Sequence, residues 1–302
     1  MIDNQELTFA GSYPGTHWES IGLITRGILS RYGYKVKLIE APGTKNTEYV
    51  DNGKADIGVT SPILASIAIS EGQKIENIAN VSSNIWLGIA VKKDTRIKSI
   101  EEIKEKKMSI KLLAGEPAKD VLKEYNVSFD DIRNWGGEVY PIRSEREGYK
   151  RDSYPSKLVR EGKVNLIIDL CCDEINEFGT HWRTITTLGE VDFLCLEKNV
   201  IENLIKKNKG LKKMVMPERT FEGLEEDVQT VGLDHSLVYC RKDKPKDLSY
   251  LIAKTYDENP KDFISTNFRF FYNPKLACKE TVIPFHEGAE EYYKEKGIWR
   301  LL

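Results

Sequence analysis

The residues best suited to chemistry follow the first strand-like run of the chain, in the sequence GSYPGTHW at positions 11–18. Turn-forming residues here lead into a helical pattern, so the N–H groups of a helix start would lie beside several hydroxyls. This combination suits a carboxylate or another anion. The stretch equally fits an ordinary turn in which Ser12 or Thr16 caps the helix and binds nothing. The ligand contacts predicted in this loop are Gly11, Ser12, Tyr13, Thr16 and His17.

Two more turns follow predicted strands in the same part of the chain. Pro42-Gly43-Thr44 comes after KVKLIEA, and Thr60-Ser61 ends ADIGVTS. Ligands of open α/β sheets bind outside the carboxyl ends of the strands, so we expect these turns to hold one side of a ligand. Trp86, in the apolar run NIWLGIAVKK, is expected close to the crossing between two lobes. The contacts predicted here are Gly43, Thr44, Thr60, Ser61 and Trp86.

A second polar group surrounds the strand VNLIIDLCC and the segment KLLAGEPAKDVL. Asp169, Asp173 and Glu174 could do acid–base work or bind a cation, although the last two fit better as acidic residues in the first turn of the next helix. Cys171 and Cys172 have no basic neighbour that would lower a thiol pKa, which favours packing over redox chemistry. The ligand contacts predicted here are Gly115, Glu116, Asp169 and Cys171.

The sequence devices of several enzyme classes are missing. There is no Walker loop, GxGxxG, HExxH or GxSxG motif. The histidines are scattered singly, which fits surface or structural roles; His17 is the exception, because it follows the first loop and could face the same space. We therefore predict a binding protein rather than an enzyme, with no catalytic residues, no metal and no cofactor.

Bulk composition narrows the class of protein. The 302 residues are 40% hydrophobic and 30% charged, and a net charge of -2 gives no field that would attract nucleic acid. No window approaches the roughly 20 apolar residues that span a bilayer. The start MIDNQELTF has no signal-peptide pattern, so we expect either a cytosolic protein or a mature export product whose leader was replaced by Met1. Most of the five cysteines are expected to be buried thiols.

An α/β fold is predicted to position these residues, because short β-rich runs alternate with helical patterns throughout the chain. Ser99 and Glu102 have the spacing of a capping box, and Gly162 is expected to end a helix. The chain should cross to a second lobe near 92–96 and return near 232–238. The predicted lobes are 1–93 plus 236–302 and 94–235, each a mostly parallel sheet flanked by helices, joined by two hinge crossings.

The order of segments resembles the TAXI family, the extracytoplasmic solute receptors of TRAP-type transporters. The resemblance covers nearly the whole chain, and its first and last stretches are the specific ones. The stretches that carry it are FAGSYPGTHWESIG, VKLIEAPGTKNTEYVDNGKADIGVTSP, IKSIEEIKEKKMSI, EEDVQTVGLDHSLVYCRKDKPKDLSYLIAKTYDEN and IPFHEGAEEYYKEKGIW.

This resemblance implies a two-lobed periplasmic-binding-protein-like fold of type II that closes around a small solute. It also implies delivery of an amino acid or carboxylate-like solute to the membrane subunits of a TRAP-type transporter, by a monomer outside the cytoplasm. The chain departs from the family where Glu116 and Asp169 occur. A carboxylate would repel an acid, so an amphoteric, cationic or neutral polar solute is equally compatible with these residues.

Two other functions remain open at the level of sequence. The same architecture resembles the pyrimidine-synthesis proteins of the NMT1/THI5 type, in which clustered cysteines matter; Cys171-Cys172 is a faint counterpart of that cluster. An intracellular ligand sensor would fit a chain that has no leader. Recovery of a bound ligand unchanged would separate carriage from enzymatic conversion.

Overall fold

The computed structural model describes residues 6–14, 16–115, 117–142, 154–173, 177–264 and 272–300. They form two compact units: unit 1 is the chain up to Ser83 and from Leu233 onward, and unit 2 is Asn84–Gly232. These limits differ from the predicted lobe limits at 93/94 and 235/236. The division into two lobes that close on a ligand stays a prediction.

Ten strands and twelve α-helices alternate along the described chain. In chain order they are β1 (Glu6–Gly11), α1 (His17–Ser30), β2 (Lys35–Glu40), α2 (Lys45–Asp51), β3 (Ile57–Thr60), α3 (Pro62–Ser70), β4 (Ile75–Lys92), α4 (Ile100–Glu105), β5 (Lys111–Ala114), α5 (Ala118–Glu124), α6 (Phe129–Asn134), β6 (Glu138–Pro141), α7 (Tyr154–Arg160), β7 (Leu166–Cys172), α8 (Glu177–Gly189), β8 (Val191–Phe193), α9 (Lys198–Lys207), β9 (Lys212–Met216), β10 (Val228–Arg241), α10 (Lys246–Glu258), α11 (Pro274–Ala277) and α12 (Glu287–Glu295). Both β4 and β10 contain a unit limit.

The sheet of unit 1 has β1 between two parallel neighbours. Phe9 of β1 lies opposite Leu38 of β2 and Ile57 of β3. The last part of β10 runs antiparallel to β3, with Leu237 opposite Thr60. Three parallel strands therefore end at one edge, and the antiparallel strand begins its unit 1 portion there.

Helix α1 illustrates how the sequence builds unit 1. Ile21, Thr25 and Ile28 recur at helical spacing and are all buried, which gives one face that packs on the sheet beside Phe9. Burial of each isoleucine side chain contributes about 1.5–3 kcal/mol. Gly22 lets the helix approach closely, because a Cβ there would lie 2.6 Å from the Leu38 side chain.

The sheet of unit 2 mixes the two directions. Strand β7 pairs antiparallel with β4 and parallel with β5, and β5 pairs parallel with β6. Two short strands join antiparallel, β8 on β4 and β9 on the first part of β10. The β7 residues alternate between two buried cores, with Ile168 on one side and Ile167 and Cys171 on the other. Burial on both faces accounts for the continuous apolar run in its sequence.

The predicted α/β class is confirmed: both units have sheets flanked by helices. The sheets are mixed rather than mostly parallel, because β4 and β10 run antiparallel to neighbouring strands. Among the described residues, no helix combines the length and apolar character needed to cross a bilayer.

Two local predictions of helix ends can be compared directly with the structure. Ser99 caps α4 by accepting from Glu102 N–H, as predicted. The Glu102 carboxylate accepts from Lys98 N–H at 2.9 Å, one residue before the position expected for a capping box. Gly162 follows α7 with a positive φ of 67°, and its N–H donates to Val159 O, so its predicted role as a helix terminator is confirmed.

Candidate functional site

The candidate site of unit 1 lies where β1, β2 and β3 end and helices α1, α2 and α3 begin. Gly11 is paired with Glu40, and Ala10 with Gly58, so the three strands end within about one residue of each other. The loops that follow them therefore share one edge of the sheet. We call this set of residues, 11–17, 41–46 and 60–61, the strand-end cluster. It brings together the predicted residues Gly11, Ser12, Tyr13, Thr16, His17, Gly43, Thr44, Thr60 and Ser61.

Asn46 fixes the geometry of this cluster. It is fully buried in α2, and its Nδ2 donates to the carbonyl oxygens of Ala10 at 2.9 Å, Gly11 at 2.8 Å and Ala41 at 3.2 Å. Its Oδ1 accepts from the Tyr239 hydroxyl at 2.6 Å. The ends of β1 and β2 and the start of α2 are thus held together by one amide.

Helix α1 begins at the cluster through Thr16. The Thr16 Oγ1 donates to Tyr13 O at 2.7 Å and accepts from Glu19 N–H at 3.4 Å, while Thr16 N–H also donates to Tyr13 O. The cap expected from Ser12 or Thr16 is therefore made by Thr16. Gly15 lies outside the described residues.

His17, the first residue of α1, is buried and its Nε2 lies 2.9 Å from Ser236 Oγ of β10. Since Ser236 adjoins the Leu237–Thr60 pair, this contact connects α1 to the antiparallel strand beside β3. Ser236 is missing from the sequence prediction. Its partner lies 219 residues away, and no local pattern around it indicates a ligand or a cap.

Helix α3 supplies the second complete helix start of the cluster. Ser61 Oγ accepts from Leu64 N–H at 3.3 Å, and Pro62 occupies the first helical turn, where its missing N–H costs nothing. Thr60 precedes the cap, and its fully buried Oγ1 has no hydrogen-bond partner within the described part of the chain. Gly43 adopts a positive φ of 58° beside the exposed Thr44, whose side chain makes no cap bond to α2.

Most groups of the cluster carry no formal charge. The predicted residues here offer backbone amides, hydroxyls and one imidazole, and none is a lysine, an arginine or a carboxylate; the exposed Lys45, at the start of α2, is the one lysine within the ranges of the cluster. The positive ends of α1 and α3 point their first N–H groups toward the loops that precede them, which favours a negatively charged or oxygen-rich group there. Such an arrangement can bind and orient a polar group; it contains no evident device for breaking a bond.

In unit 2, two of the predicted residues lie in direct contact. Asp169 of β7 is 6% exposed, and a Cβ on Gly115 would lie 1.8 Å from its Oδ1. Gly115 N–H donates to Ile168 O at 2.8 Å, which holds the end of β5 against β7. Gly115 is therefore needed for the carboxylate to occupy this place. Glu116, also predicted, lies outside the described residues, as does Glu174.

The remaining predicted residues of unit 2 belong to its core. Trp86 is 4% exposed, and its indole N–H donates to Val215 O at 3.1 Å. Cys171 is fully buried, with its Sγ 3.8 Å from the sulfur of Met216. Burial, followed by the nearby Cys172 and Asp169, raises the pKa of the Cys171 thiol well above its usual value. These two side chains are packed against other residues, and their role as ligand contacts stays a prediction.

A shallow cavity of about 430 Å³ also occurs in unit 2, away from the predicted residues. Arg183, Arg219 and Glu222 contribute polar groups, and Phe221 and Leu224 contribute apolar surface. The Arg183 guanidinium donates to Asp173, so part of its charge is already neutralised.

Comparison with protein families gives two matches of the same kind. A model described as NMT1/THI5 like matches residues 24–139, and one described as NMT1-like family matches residues 183–297. Each covers less than half of the chain, so these are similarities rather than a family assignment. They replace the resemblance drawn from the sequence. The TAXI identification is wrong, and with it the TRAP-type transporter loses its basis.

No curated protein matches the chain. Solved structures with similar folds include the periplasmic aliphatic sulphonate binding protein SsuA from Escherichia coli, at 14% identity over 85% of this chain and 68% of that one, with a TM-score of 0.48. Lactococcal OpuAC complexed with glycine betaine has 13% identity, 97% coverage of both chains and a TM-score of 0.46. The glycine/betaine/L-proline-binding protein ProX from Borrelia burgdorferi has 13% identity, coverage of 85% and 89%, and a TM-score of 0.48. With TM-scores below 0.5, these similarities carry no argument about ligand or partner.

Proposed function

We propose that the protein binds a small polar solute at the strand-end cluster and carries it without chemical change. The observation that carries this proposal is the joint presence of two capped helix starts, Thr16 on α1 and Ser61 on α3, at one edge of a parallel sheet. Their backbone N–H groups suit an oxygen-rich group of a ligand.

The chemical class of the solute follows from the predicted residues of the cluster. Because none of them is a lysine or an arginine, a carboxylate or sulfonate would be met mainly by N–H dipoles, hydroxyls and the His17 imidazole. A dipole-based site binds such groups by hydrogen bonds of fixed direction. Affinity should then depend on oxygen geometry more than on net charge.

Asp169 extends the possible range of solutes. If this carboxylate contributes to the same site, as the sequence predicts, an amphoteric solute such as an amino acid would suit it better than a simple acid. Involvement of Gly115, Glu116 and Cys171 would follow from the same arrangement. These contacts of unit 2 are proposals. A preference for amino acids over simple acids in the thermal-shift screen would support the contribution of Asp169.

Transport is the role that we propose for the binding step, with a membrane transporter of the ABC type as partner outside the cytoplasm. ProX is described as the binding protein of an ABC transporter and SsuA as a periplasmic protein; these descriptions suggest which partner to test and are not evidence for it. Uptake of the identified solute by cells with and without the gene would test this role. Unchanged uptake after deletion would contradict it.

A second candidate function is suggested by the two NMT1-like matches. In this alternative the ligand is a pyrimidine or a precursor, and the protein either binds it or takes part in its synthesis. Buried Cys171, whose pKa is raised by burial, does not favour thiol chemistry at its position. Binding of pyrimidines in preference to acids would favour this alternative.

Thermal shift over amino acids, dicarboxylates, sulfonates, polyamines and pyrimidines tests binding. A solute at a hundredfold excess over Kd should stabilise the protein by about 2.7 kcal/mol. Recovery of that solute unchanged after incubation would support carriage. Turnover of the bound compound, or the absence of stabilisation by any class, would contradict it.

Matched variants locate the site. Ser61→Ala and Thr16→Ala each remove a cap in the strand-end cluster, whereas Ser128→Ala removes the equivalent cap of α6 in unit 2. We expect the first two to lose most of the ligand-induced shift and the third to keep it. Equal loss in all three would mean that the cluster is not the binding site.

A further inference from the structure

A carboxylate, an imidazole and a hydroxyl form a connected set in unit 1 outside the strand-end cluster. His235 Nδ1 lies 2.5 Å from Asp234 Oδ1, and His235 Nε2 lies 3.0 Å from Thr281 Oγ1. Asp234 and His235 belong to β10, and Thr281 lies between α11 and α12. We propose that these three residues form an acyl-transfer site, in which the Thr281 hydroxyl is the nucleophile and the substrate is an activated ester.

The hydrogen-bond pattern determines the direction of proton transfer. An ionised carboxylate can only accept, so the proton of the neutral imidazole is on Nδ1, facing Asp234. Nε2 is then an acceptor, and the Thr281 hydroxyl donates to it. This is the polarity of a nucleophile, a general base and an orienting carboxylate.

Exposure separates the roles of the three groups. His235 is only 6% exposed, so the base is shielded from bulk water. Thr281 is partly exposed, so this residue lies nearer the solvent than the base does. The Asp234 side chain is 33% exposed, and Lys279 Nζ lies 3.8 Å from its Oδ2.

Backbone donors are available beside the nucleophile. Across the described ranges, the N–H groups of Thr281 and Val282 donate to no protein acceptor. Donors next to an attacking hydroxyl can stabilise the oxyanion of a tetrahedral intermediate. We assign this role to the N–H groups of Thr281 and Val282 as part of the proposal.

Two other histidine–hydroxyl contacts of unit 1 lack this combination. His286 Nδ1 accepts from Gly288 N–H and lies 2.7 Å from Ser249 Oγ, whose hydroxyl is fully buried and also donates to Lys246 O. Ser236, the partner of His17, is 2% exposed. Both serines are buried, whereas Thr281 is partly exposed.

The reaction has an acylation stage and a hydrolysis stage. Thr281 Oγ1 attacks the carbonyl carbon of the ester and forms a new C–O bond, while its proton moves to His235 Nε2 and the carbonyl oxygen becomes the oxyanion. The intermediate collapses, the C–O bond to the leaving group breaks, and the departing alkoxide takes the proton from Nε2. Water then attacks the acyl-threonine with the same base, which releases the carboxylic acid and restores the Thr281 hydroxyl.

Two probes test the proposal on the full chain: a fluorophosphonate, which forms a stable Thr281–O–P bond with loss of fluoride, and p-nitrophenyl acetate, which reports acyl transfer. Peptide mass spectrometry should find the phosphonyl group on Thr281. We expect Thr281→Val to abolish labelling, Thr281→Ser to retain it, and His235→Gln to slow it by about a hundredfold or more, the usual contribution of a general base. Circular dichroism confirms that each variant is folded.

Asp234 acts through His235, so its test is rescue by a conservative variant. Asp234→Asn should slow labelling of Thr281, and Asp234→Glu, which keeps a carboxylate, should restore part of the rate. No labelling of the folded parent protein, labelling at another residue, or an unchanged rate in His235→Gln would overturn the proposal. A purely structural role of the three residues would leave the probe unreacted.

Discussion

Tyr239 donates a buried 2.6 Å hydrogen bond to Oδ1 of Asn46, a residue 193 positions earlier in the chain. Through Nδ2, the same Asn46 holds the carbonyls of Ala10 and Gly11 at the end of β1. A strand from the last third of the protein therefore fixes the loop that the sequence analysis singled out first. The positions of the loops in the strand-end cluster therefore depend on the hydrogen bond between Tyr239 and Asn46.

Tyr239→Phe tests how much the hydrogen bond between Tyr239 and Asn46 contributes to stability. The change removes the donor and leaves the buried Asn46 Oδ1 unsatisfied, so we expect the free energy of unfolding to fall by about 1–3 kcal/mol. Urea denaturation measures it. Tyr250→Phe is the control, since that hydroxyl donates to the exposed Glu295 and its loss should leave stability nearly unchanged. Equal effects of the two substitutions would contradict a special role for the Asn46 contact.

Gly58→Ala should disturb the same contact by crowding. A Cβ at Gly58 would lie 2.6 Å from Tyr239 Oη and 2.7 Å from Asn46 Oδ1, so we expect a loss of about 1–3 kcal/mol from overpacking. Gly27→Ala in the interior of α1 meets nothing within 4 Å and should stabilise the protein by about 0.5–1 kcal/mol. Denaturation of both variants should therefore give opposite signs. A neutral result for Gly58→Ala would mean that Tyr239 and Asn46 can separate at little cost.

Gly115→Ala tests the second predicted group. The new Cβ would overlap Asp169 Oδ1, at 1.8 Å, and must displace the carboxylate, with an expected loss of about 1–3 kcal/mol. Adding Asp169→Gly removes the whole side chain that the new Cβ would meet, including the Asp169 Cβ at 2.7 Å, so the double variant should be more stable than the sum of the single effects by about 0.5–3 kcal/mol. A double-mutant cycle in urea gives this coupling. Strict additivity would show that the two side chains do not compete for space.

Thiol reactivity should distinguish Cys195 from the other cysteines. Cys195 is exposed, whereas Cys171, Cys172, Cys240 and Cys278 are buried, and burial raises the pKa of Cys171 and Cys240. At neutral pH we expect an aromatic disulfide reagent to modify one thiol rapidly and the remaining four only on unfolding. Cys195→Ser should abolish the fast phase. A fast phase that persists in that variant would indicate that a buried thiol is reached from solvent.

The Ser128–Asp131 capping box predicts a pH dependence. The Ser128 hydroxyl, followed by its backbone N–H, holds the pKa of Asp131 below its usual value of 3.8. A carboxyl whose pKa is lowered on folding stabilises the native state above its unfolded pKa, about pH 4, and this contribution disappears as pH falls through the folded pKa. Ser128→Ala should therefore raise the Asp131 pKa in an NMR titration.

The same variant should be less stable than the parent protein at pH 7, and the difference should shrink by pH 2. Ser99→Ala is a useful comparison, because Ser99 caps α4 while the Glu102 carboxylate accepts from Lys98 and Lys106 instead. Its effect should not track the titration of Asp131. An unchanged Asp131 pKa after loss of Ser128 would contradict the assigned cause.

Local sequence determined the elements and several of their ends. Alternating β-rich and helical runs predicted the α/β class, and Ser99 and Gly162 were predicted at helix ends where the structure has them. Strand ends at Gly11 and Thr60 followed from where apolar runs change to turn residues. These features depend on contacts a few residues apart, so the pattern of neighbouring residues is enough to predict them.

Tertiary structure decided which polar residues meet. The contacts of Asn46 with Tyr239, His17 with Ser236 and His235 with Thr281 join segments 193, 219 and 46 residues apart. It also decided that Trp86 and Cys171 pack in the core of unit 2, because helices such as α8, through Trp182 and Ile185, cover this face of the sheet. The sequence pattern does not predict these contacts, because strand order and register select which residues meet. Strand order and register are in turn set by the packing of the whole unit.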